Sequence, residues 1–329
     1  MTDTCAIIIP AIKFNVDLRR CIKFCLKQEK VKIKIYVVLD SIVGNLEAKK
    51  EFNQVNFLSF GSINMSEKRN EAVKFCNEKY IAFIDSDAYP SQKWLLNGID
   101  YLKNKKKVGL VSGPDLPFPN ESGWKRIIGI SHKSFLLSGS KTFRKNIKEE
   151  LFCNHVSSCN MIMKKKLYLK VGGMNKNIYI GEDIEFCNKI AKIKKIAYIP
   201  SALIFHQSRN LVSFFKQRFS YGFSTKYVIK NKLKSNFEFL VPLLFVTFLL
   251  SFPLILFFEL YKYIFQTLIF SLVLFFFYES FKISKNFFDC FKIVFIFLSS
   301  LIIFGLGSLY SFSSVNSNIK KIYTSHINN

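Results

Sequence analysis

Two carboxylates one residue apart end an apolar run at positions 80–84, and their type and spacing point to cation chemistry. The run has the composition of a buried strand, so Asp85 and Asp87 fall at its carboxyl end. Open α/β sheets bind their ligands at that edge. Carboxylate oxygens suit a divalent cation, which in turn holds phosphates. The pair predicts a metal-bound nucleotide, although the triplet alone also fits an ordinary turn after a strand.

The elements that must position these acids alternate between strand and helix up to about residue 205. Apolar runs predict strands at 6–9, 33–39, 80–84 and 108–112. Amphipathic segments predict helices at 17–29, 66–79 and 94–103, with Ser66 as the N-cap of the second. Repeated β-α-β units predict a parallel sheet covered by helices.

The formal net charge of +25 over 329 residues does not by itself indicate a nucleic-acid partner. Lysines are spread evenly and accompany abundant Ile, Asn and Phe, which indicates a general compositional bias. The sequence has no zinc-finger spacing, no RNA-binding aromatic signature and no compact arginine-rich segment. Nucleic acid is therefore excluded from the predicted partners.

The composition changes after Lys234, where three apolar stretches predict transmembrane helices at about 239–258, 260–280 and 293–315. A buried helical subdomain is the alternative. The second stretch could also be re-entrant, which would move the C-terminal tail to the other side. Basic residues before the first stretch predict that this side is cytosolic. The N-terminus has no basic leader and no long apolar core, so we expect a multi-pass protein of the cell (inner, cytoplasmic) membrane with a cytosolic N-terminal domain.

These patterns divide the chain into four predicted parts. A catalytic domain covers 1–208, a basic amphipathic interfacial segment 209–236, the membrane helices 237–316 and a tail 317–329. The interfacial segment combines aromatic side chains, which suit the bilayer interface, with Lys and Arg, which suit anionic head groups. Membrane lipids are therefore predicted partners.

Several motifs, in this order along the chain, resemble the inverting family 2 glycosyltransferases with a GT-A fold over roughly residues 5–225. The matching segments are Ile7-Ile8-Ile9-Pro10, Val37-Val38-Leu39-Asp40-Ser41, Lys68-Arg69-Asn70 (the family's Ala-Arg-Asn), Asp85-Ser86-Asp87, Val111-Ser112-Gly113-Pro114, Cys159-Asn160-Met161, Val171-Gly172-Gly173-Met174-Asn175, Gly181-Glu182-Asp183 and Ile204-Phe205-His206. The family often has two acids at the end of its second strand, but here Leu39 takes the first position. The resemblance implies an α/β GT-A domain, a Rossmann-like mixed sheet, followed by α-helical transmembrane segments.

The resemblance also implies a role for each candidate site residue. The donor would be a nucleotide sugar, bound by Pro10, Asp40, Arg69, Asp85 and Asp87. A divalent metal, manganese or magnesium, would be held by Asp87, Asp85 and His206 and would act as a Lewis acid on the diphosphate. Asp183 would be the general base, with Glu182 as runner-up or as a partner that fixes the acceptor. Both acids also fit a helix N-terminus without any catalytic role.

The segment Gln217-Arg218-Phe219-Ser220-Tyr221 lacks the Arg-Trp that ends the Gln-x-x-Arg-Trp motif of processive members. The resemblance therefore implies a membrane-anchored, metal-dependent, non-processive transferase. Its acceptor would be a hydroxyl of a lipid-linked or membrane-proximal, cell-surface glycan, in polysaccharide or glycolipid biosynthesis. A polyprenyl-phosphate sugar synthase and a non-catalytic membrane scaffold are the alternatives. A nucleotidyltransferase would usually have a Gly-rich, Lys-bearing loop after Pro10, which this sequence lacks.

Overall fold

The computed structural model describes residues 3–43, 46–139, 142, 149–178, 181–230 and 237–313. The chain forms two compact units. The first, which we call the α/β unit, comprises Met1–Phe118 and Phe143–Gln207, and the second, the helical unit, comprises Pro119–Thr142 and Ser208–Asn329. The strand and helix pattern of the sequence did not predict that residues 119–142 group with the C-terminal helices. The predicted domain boundaries stay a prediction.

The described strands all lie in the α/β unit. They are β1 (Thr4–Pro10), β2 (Lys32–Leu39), β3 (Val55–Ser59), β4 (Tyr80–Ile84), β5 (Ala88–Pro90), β6 (Val108–Ser112), β7 (Asp115–Leu116), β8 (Leu151–Cys153), β9 (Asn160–Lys164), β10 (Lys195–Tyr198) and β11 (Ile204–His206). Eight form one sheet in the order β3-β2-β1-β4-β9-β6-β10-β8, and a smaller sheet has the order β5-β11-β7.

The described helices belong to both units. They are α1 (Val16–Cys25), α2 (Leu46–Glu51), α3 (Met65–Phe75), α4 (Trp94–Asn104), α5 (Gly123–Ser131), α6 (Phe135–Ser138), α7 (Lys165–Lys170), α8 (Glu182–Ala191), α9 (Leu211–Phe223), α10 (Thr225–Lys230), α11 (Phe237–Leu250), α12 (Glu259–Ile283) and α13 (Phe287–Ser313).

The large sheet is parallel over one half and mixed over the other. Strands β2, β1 and β4 are parallel neighbours, as the β-α-β pattern predicts, and β3, which the sequence did not predict, is a further parallel strand beside β2. Strand β9 is antiparallel to both β4 and β6, so the prediction of a parallel sheet is wrong for this half, whereas the mixed sheet implied by the family resemblance is confirmed. The chain order reverses at β1, which pairs with β2 on one side and β4 on the other. Open sheets bind ligands beside the carboxyl ends of strands at such a reversal.

The core of the α/β unit covers both faces of the sheet. Along β1, Cys5, Ile7 and Ile9 pack on one face, while Ala6 and Ile8 pack on the other. This alternation follows from the two-residue period of a strand whose two faces are both covered. The continuous apolar run at residues 5–9 is therefore typical of a central strand.

The start and end of α3 differ from the prediction for 66–79. Its N-cap is Asn64, whose side-chain oxygen accepts a hydrogen bond from Glu67 N at 2.9 Å, and Ser66 is buried in the first turn. Asn is a strong N-cap because its short side chain reaches the free N–H groups of the first turn. The helix ends at Phe75, since Cys76 is already extended.

In the helical unit, two described helices are long and apolar enough to cross a membrane, judged by length and composition: Glu259–Ile283 and Phe287–Ser313. These contain the second predicted stretch and the third up to residue 313. The first, 239–258, forms α11 and then a separate 3-10 helix at Phe252–Leu256. Pro253 is the second residue of that 3-10 helix, and proline cannot donate the N–H that would continue α11. The apolar stretch Leu240–Leu256 is shorter than a span. The predicted tail 317–329 and residues 231–236 of the interfacial segment lie outside the described residues.

Residues 123–138 belong to the core of the helical unit. Ile127 and Ile128 of α5 pack in the same apolar cluster as Phe214 of α9 and Ile293 of α13. Arg126 Nη2 lies 2.5 Å from Asp289 Oδ2 of α13. These contacts explain why the segment groups with the C-terminal helices.

Candidate active site

The two acids after β4 lie beside the imidazole of His206. His206 Nε2 is 3.4 Å from Asp87 Oδ1 and 3.8 Å from Asp85 Oδ2. The small sheet produces this meeting: β5 begins immediately after Asp87, and its Ala88 pairs with His206 in the antiparallel register of β11. The structure therefore brings together the three residues that the sequence assigned to a metal.

The charges of Asp85, Asp87 and His206 stabilise one another. Burial lowers the pKa of His206, but the carboxylates of Asp87 and Asp85 outweigh that effect and raise it to about 9. For Asp85, burial raises the pKa, but His206 and Arg69 outweigh it and hold the pKa below its ordinary value. A positive charge is thus stabilised between the two carboxylates.

The donor atoms of the cluster fit a divalent cation. Among the described residues, Asp85, Cys159 and His206 each offer one ligand atom, and these atoms lie within 4.8 Å of one another. Carboxylate oxygens suit magnesium and manganese, whereas imidazole and thiol groups suit softer divalent ions better than magnesium. Cys159 was matched in the sequence only as a small residue, and its thiol at this position is found by the structure alone.

Arg69 lies behind Asp85 on the first turns of α3. Its Nη2 donates a hydrogen bond to Asp85 Oδ1 at 2.8 Å, and the side chain is almost fully buried. Its Nε and Nη1 atoms are buried and have no hydrogen-bond partner among the described residues. Guanidinium N–H groups bind phosphate oxygens in pairs, so this arginine fits the diphosphate part of a nucleotide sugar.

Asp40 lies at the carboxyl end of β2 and makes an ion pair that the sequence did not reveal. Its Oδ1 accepts from the Nζ of Lys68, the residue before Arg69 on α3. Lys68 Nζ also donates to Ala11 O at 2.5 Å, directly after Pro10 at the end of β1. The two adjacent cations on α3 therefore pair with different acids. Lys68 pairs with Asp40 at the end of β2, and Arg69 pairs with Asp85 at the end of β4. The sequence contained one indication that position 68 is unusual, because a lysine stands there in place of the family's alanine.

The second acid pair begins α8. Gly181 precedes it with φ +86°, a left-handed conformation that favours glycine. Asp183 Oδ1 accepts a hydrogen bond from Ile184 N at 2.9 Å, and Asp183 Oδ2 is 3.1 Å from His155 Nε2. No motif of the sequence had pointed to His155.

Glu182 has a raised proton affinity. Burial and the charge of Asp183 raise the pKa of its carboxyl to about 7, and the charge of Arg69 opposes them. A carboxyl with a pKa near neutrality can exchange protons at working pH. The charge of Asp85 also contributes to the raised pKa of Glu182.

Asn70 joins two of the matched motifs. Its Nδ2 donates to Met174 O at 2.7 Å, and its Oδ1 accepts from Met174 N at 3.0 Å. Gly173 has φ +67°, and a Cβ there would lie 2.6 Å from Asn70 Oδ1. This close approach of Asn70 explains why the second residue of the Gly-Gly turn is a glycine. The contacts with Asn70 hold the chain shortly before the Glu182–Asp183 pair.

Comparison with known proteins identifies the family of the chain. The family model described as Glycosyl transferase family 2 matches residues 6–172, just over half of the chain. No curated protein matches significantly. Among solved structures, residues 1–349 of S. aureus TarS match with a TM-score of 0.48 and 15% identity, covering 69% of this chain and 65% of that one. The chain thus spans slightly less than two thirds of that structure. The chain belongs to glycosyl transferase family 2, and it carries a C-terminal set of apolar helices.

Proposed function

We propose that the protein is a membrane-anchored, non-processive, inverting transferase that moves a sugar from a nucleotide-sugar donor to a hydroxyl of a lipid-linked or membrane-proximal glycan, with a divalent cation. The observation that carries the proposal is the meeting of Asp85, Asp87 and His206 beside the buried guanidinium of Arg69. Carboxylates, an imidazole and free guanidinium donors are the groups that a cation-bound diphosphate requires.

Different residues of the α/β unit would bind different parts of the donor. Asp87, Asp85 and His206 would hold manganese or magnesium, and Arg69 would donate N–H groups to the diphosphate. Asp40 and Pro10, at the ends of β2 and β1, would bind the nucleoside. A divalent cation at this position supplies Lewis-acid neutralisation of the diphosphate leaving group.

Asp183 would act as general base and remove the proton of the acceptor hydroxyl. The oxygen forms a bond to the anomeric carbon, the bond from that carbon to the diphosphate breaks, and the proton goes to the carboxylate. Attack from the face opposite the leaving group inverts the anomeric centre. The 3.1 Å contact with His155 and the bond from Ile184 N support a fixed orientation of this carboxylate. Glu182 would fix the acceptor or replace Asp183 as base.

The helices α12 and α13 support a membrane anchor, because their length and composition suit a bilayer. We infer a protein of the inner, cytoplasmic membrane, with the part up to residue 208 in the cytosol, where nucleotide sugars are made. Anchoring near the bilayer favours a lipid-linked or cell-surface glycan as acceptor and membrane lipids as neighbours. Ser220 and Tyr221 in place of Arg-Trp support single addition.

The test is release of nucleoside diphosphate by the detergent-solubilised full chain. UDP-, GDP- and dTDP-sugars are supplied with manganese or magnesium, with and without membrane lipid extract. We expect release that needs the cation and disappears in Asp87→Ala. The matched control is Asp100→Ala on α4, whose carboxylate is half exposed and pairs only with Lys103 among the described residues.

The outcomes separate the candidate functions. No release with any donor and extract would contradict the proposal and favour a non-catalytic scaffold. Release that is unchanged by Asp87→Ala would reject the metal assignment. Transfer to a lipid phosphate instead of a hydroxyl would identify a polyprenyl-phosphate sugar synthase, in which a strong base such as Asp183 has no role.

A further inference from the structure

Lys68 is a buried cation at the edge of the sheet where the nucleoside would bind. Its side chain has no exposed surface, while the side chain of its partner Asp40 is 26% exposed. Burying an ammonium group is costly unless the group is paired and hydrogen-bonded. Lys68 meets this condition through Asp40 Oδ1 and Ala11 O. Burial still lowers the pKa of Lys68, although Asp40 opposes the shift.

The fold alone gives little reason for this cation. Main-chain bonds already join the two strand ends, since Ala11 N donates to Val38 O at 2.9 Å and Asp40 N donates to Ile12 O at 3.1 Å. Replacing a buried ion pair by apolar groups is often neutral for stability or even stabilising. An apolar residue at position 68 together with a neutral one at position 40 would therefore serve the fold equally well.

The two oxygens of Asp40 have different surroundings. Oδ1 is taken by Lys68, and among the described residues Oδ2 has no hydrogen-bond partner. The backbone carbonyl of Asp40 is also held, because it accepts from Ser59 Oγ at 2.8 Å. The residue is thus fixed on its main-chain side and at one oxygen, while the carboxylate keeps a free acceptor on its exposed side.

We propose that Lys68 is a positioning residue for recognition of the donor's nucleoside. By holding Oδ1, it presents Oδ2 of Asp40 as an acceptor for N–H or hydroxyl groups of the base or ribose. This inference rests on the proposed function, because it assumes that the site binds a nucleoside diphosphate.

The experiment is calorimetric titration of the solubilised full chain with UDP, GDP and dTDP, and with pyrophosphate as a probe without a nucleoside, all with manganese. Lys68→Met keeps the length of the side chain and removes the charge. The matched control is Lys74→Met on the same helix, whose ammonium is exposed and pairs with Glu71 at 2.7 Å.

We expect Lys68→Met to weaken the best-bound nucleoside diphosphate about tenfold to hundredfold, the range for one charge-assisted hydrogen bond. Pyrophosphate affinity should not change, and Lys74→Met should behave like the wild type. In turnover assays KM for the donor should rise while kcat stays within about twofold, because the reacting atoms are untouched.

Equal nucleoside diphosphate affinity in Lys68→Met and wild type would overturn the inference, and so would an equal loss for pyrophosphate. If Lys68→Met does not fold, Asp40→Asn and the double variant Lys68→Met/Asp40→Asn replace it. These two should bind alike, since Lys68 acts only through Asp40, and a further loss in the double variant would also overturn the inference. A wild type that binds no nucleoside diphosphate would refute the proposed function itself.

Discussion

The almost fully buried guanidinium of Arg69 pairs with the partly exposed carboxylate of Asp85, with Arg69 Nη2 at 2.8 Å from Asp85 Oδ1. This bond occupies one oxygen of the carboxylate and leaves Asp85 Oδ2 on the side of His206. The same bond uses one N–H of the guanidinium and leaves Nε and Nη1 without a partner among the described residues. One contact therefore orients both the carboxylate that we propose binds the cation and the guanidinium that we propose binds the diphosphate.

Arg69→Lys should weaken nucleoside diphosphate binding about tenfold or more. Lysine keeps the positive charge but lacks the planar fork that can bond Asp85 and a phosphate together. Calorimetric titration with manganese present measures the affinity. Arg19→Lys on α1 is the control, since Arg19 is exposed and bonds Glu51 at 2.8 Å. Equal affinities in Arg69→Lys and wild type would show that the fork does not bind the diphosphate.

Asp183→Asn should retain donor binding and lose transfer about a hundredfold or more, the usual range for general-base catalysis. The amide keeps the size of the side chain but cannot accept the acceptor's proton. Donor affinity by calorimetry and single-turnover transfer together separate binding from chemistry. Turnover at the wild-type rate would reject Asp183 as base. A loss confined to Glu182→Gln would transfer that role to Glu182.

Glu182 should make the α/β unit less stable as pH rises. Its ordinary pKa is 4.5, and in the folded chain burial and Asp183 raise it to about 7. Between these values the folded state holds a proton that the unfolded state has released, so stability falls with rising pH. The contribution is fully present below pH 4.5 and is lost as pH passes 7.

Thermal unfolding of Glu182→Gln tests this dependence. The amide stays neutral, so the variant should unfold at a higher temperature than the wild type at pH 8 and at a similar temperature near pH 4.5. Both proteins are measured without divalent cations and at one ionic strength, since screening changes charge interactions. Curves that stay parallel from pH 4.5 to 8 would contradict the raised pKa.

Gly222→Ala should destabilise the helical unit by about 1–3 kcal/mol, the usual cost of overpacking. A Cβ at this position would lie 1.9 Å from Phe304 O of α13, so α9 and α13 would have to separate. The measurement is thermal unfolding in detergent. Ser213→Ala on the same helix is the control, because its described hydrogen bond, to Asn210 Oδ1, uses only its main-chain N–H. An unchanged midpoint for Gly222→Ala would show that the helices do not pack so closely.

The strongest local patterns were sufficient to predict three strands of the parallel half of the sheet, β1, β2 and β4, but not the edge strand β3. Buried strands such as β4 are short apolar runs, and Asp85 and Asp87 at its end were recognisable from type and spacing. The antiparallel strand β9 and the edge strand β8 were not predicted. Their pairing depends on partners far away in the chain, and short strands have no distinctive period. The break between α11 and the 3-10 helix was missed because composition alone does not show where proline ends a helix.

The sequence by itself determined which residue types stand at each strand end and helix start: the acids of the Asp-Ser-Asp and Glu-Asp pairs, His206 and Arg69. Only the tertiary structure decided their partners. Lys68 with Asp40, His155 with Asp183, and Cys159 near the cation cluster are contacts between segments that the sheet brings together. The physical reason is that a motif indicates only local chemistry. The pairing of buried charges depends on strand order and register, and these are set by hydrogen bonds and packing between segments distant in the chain.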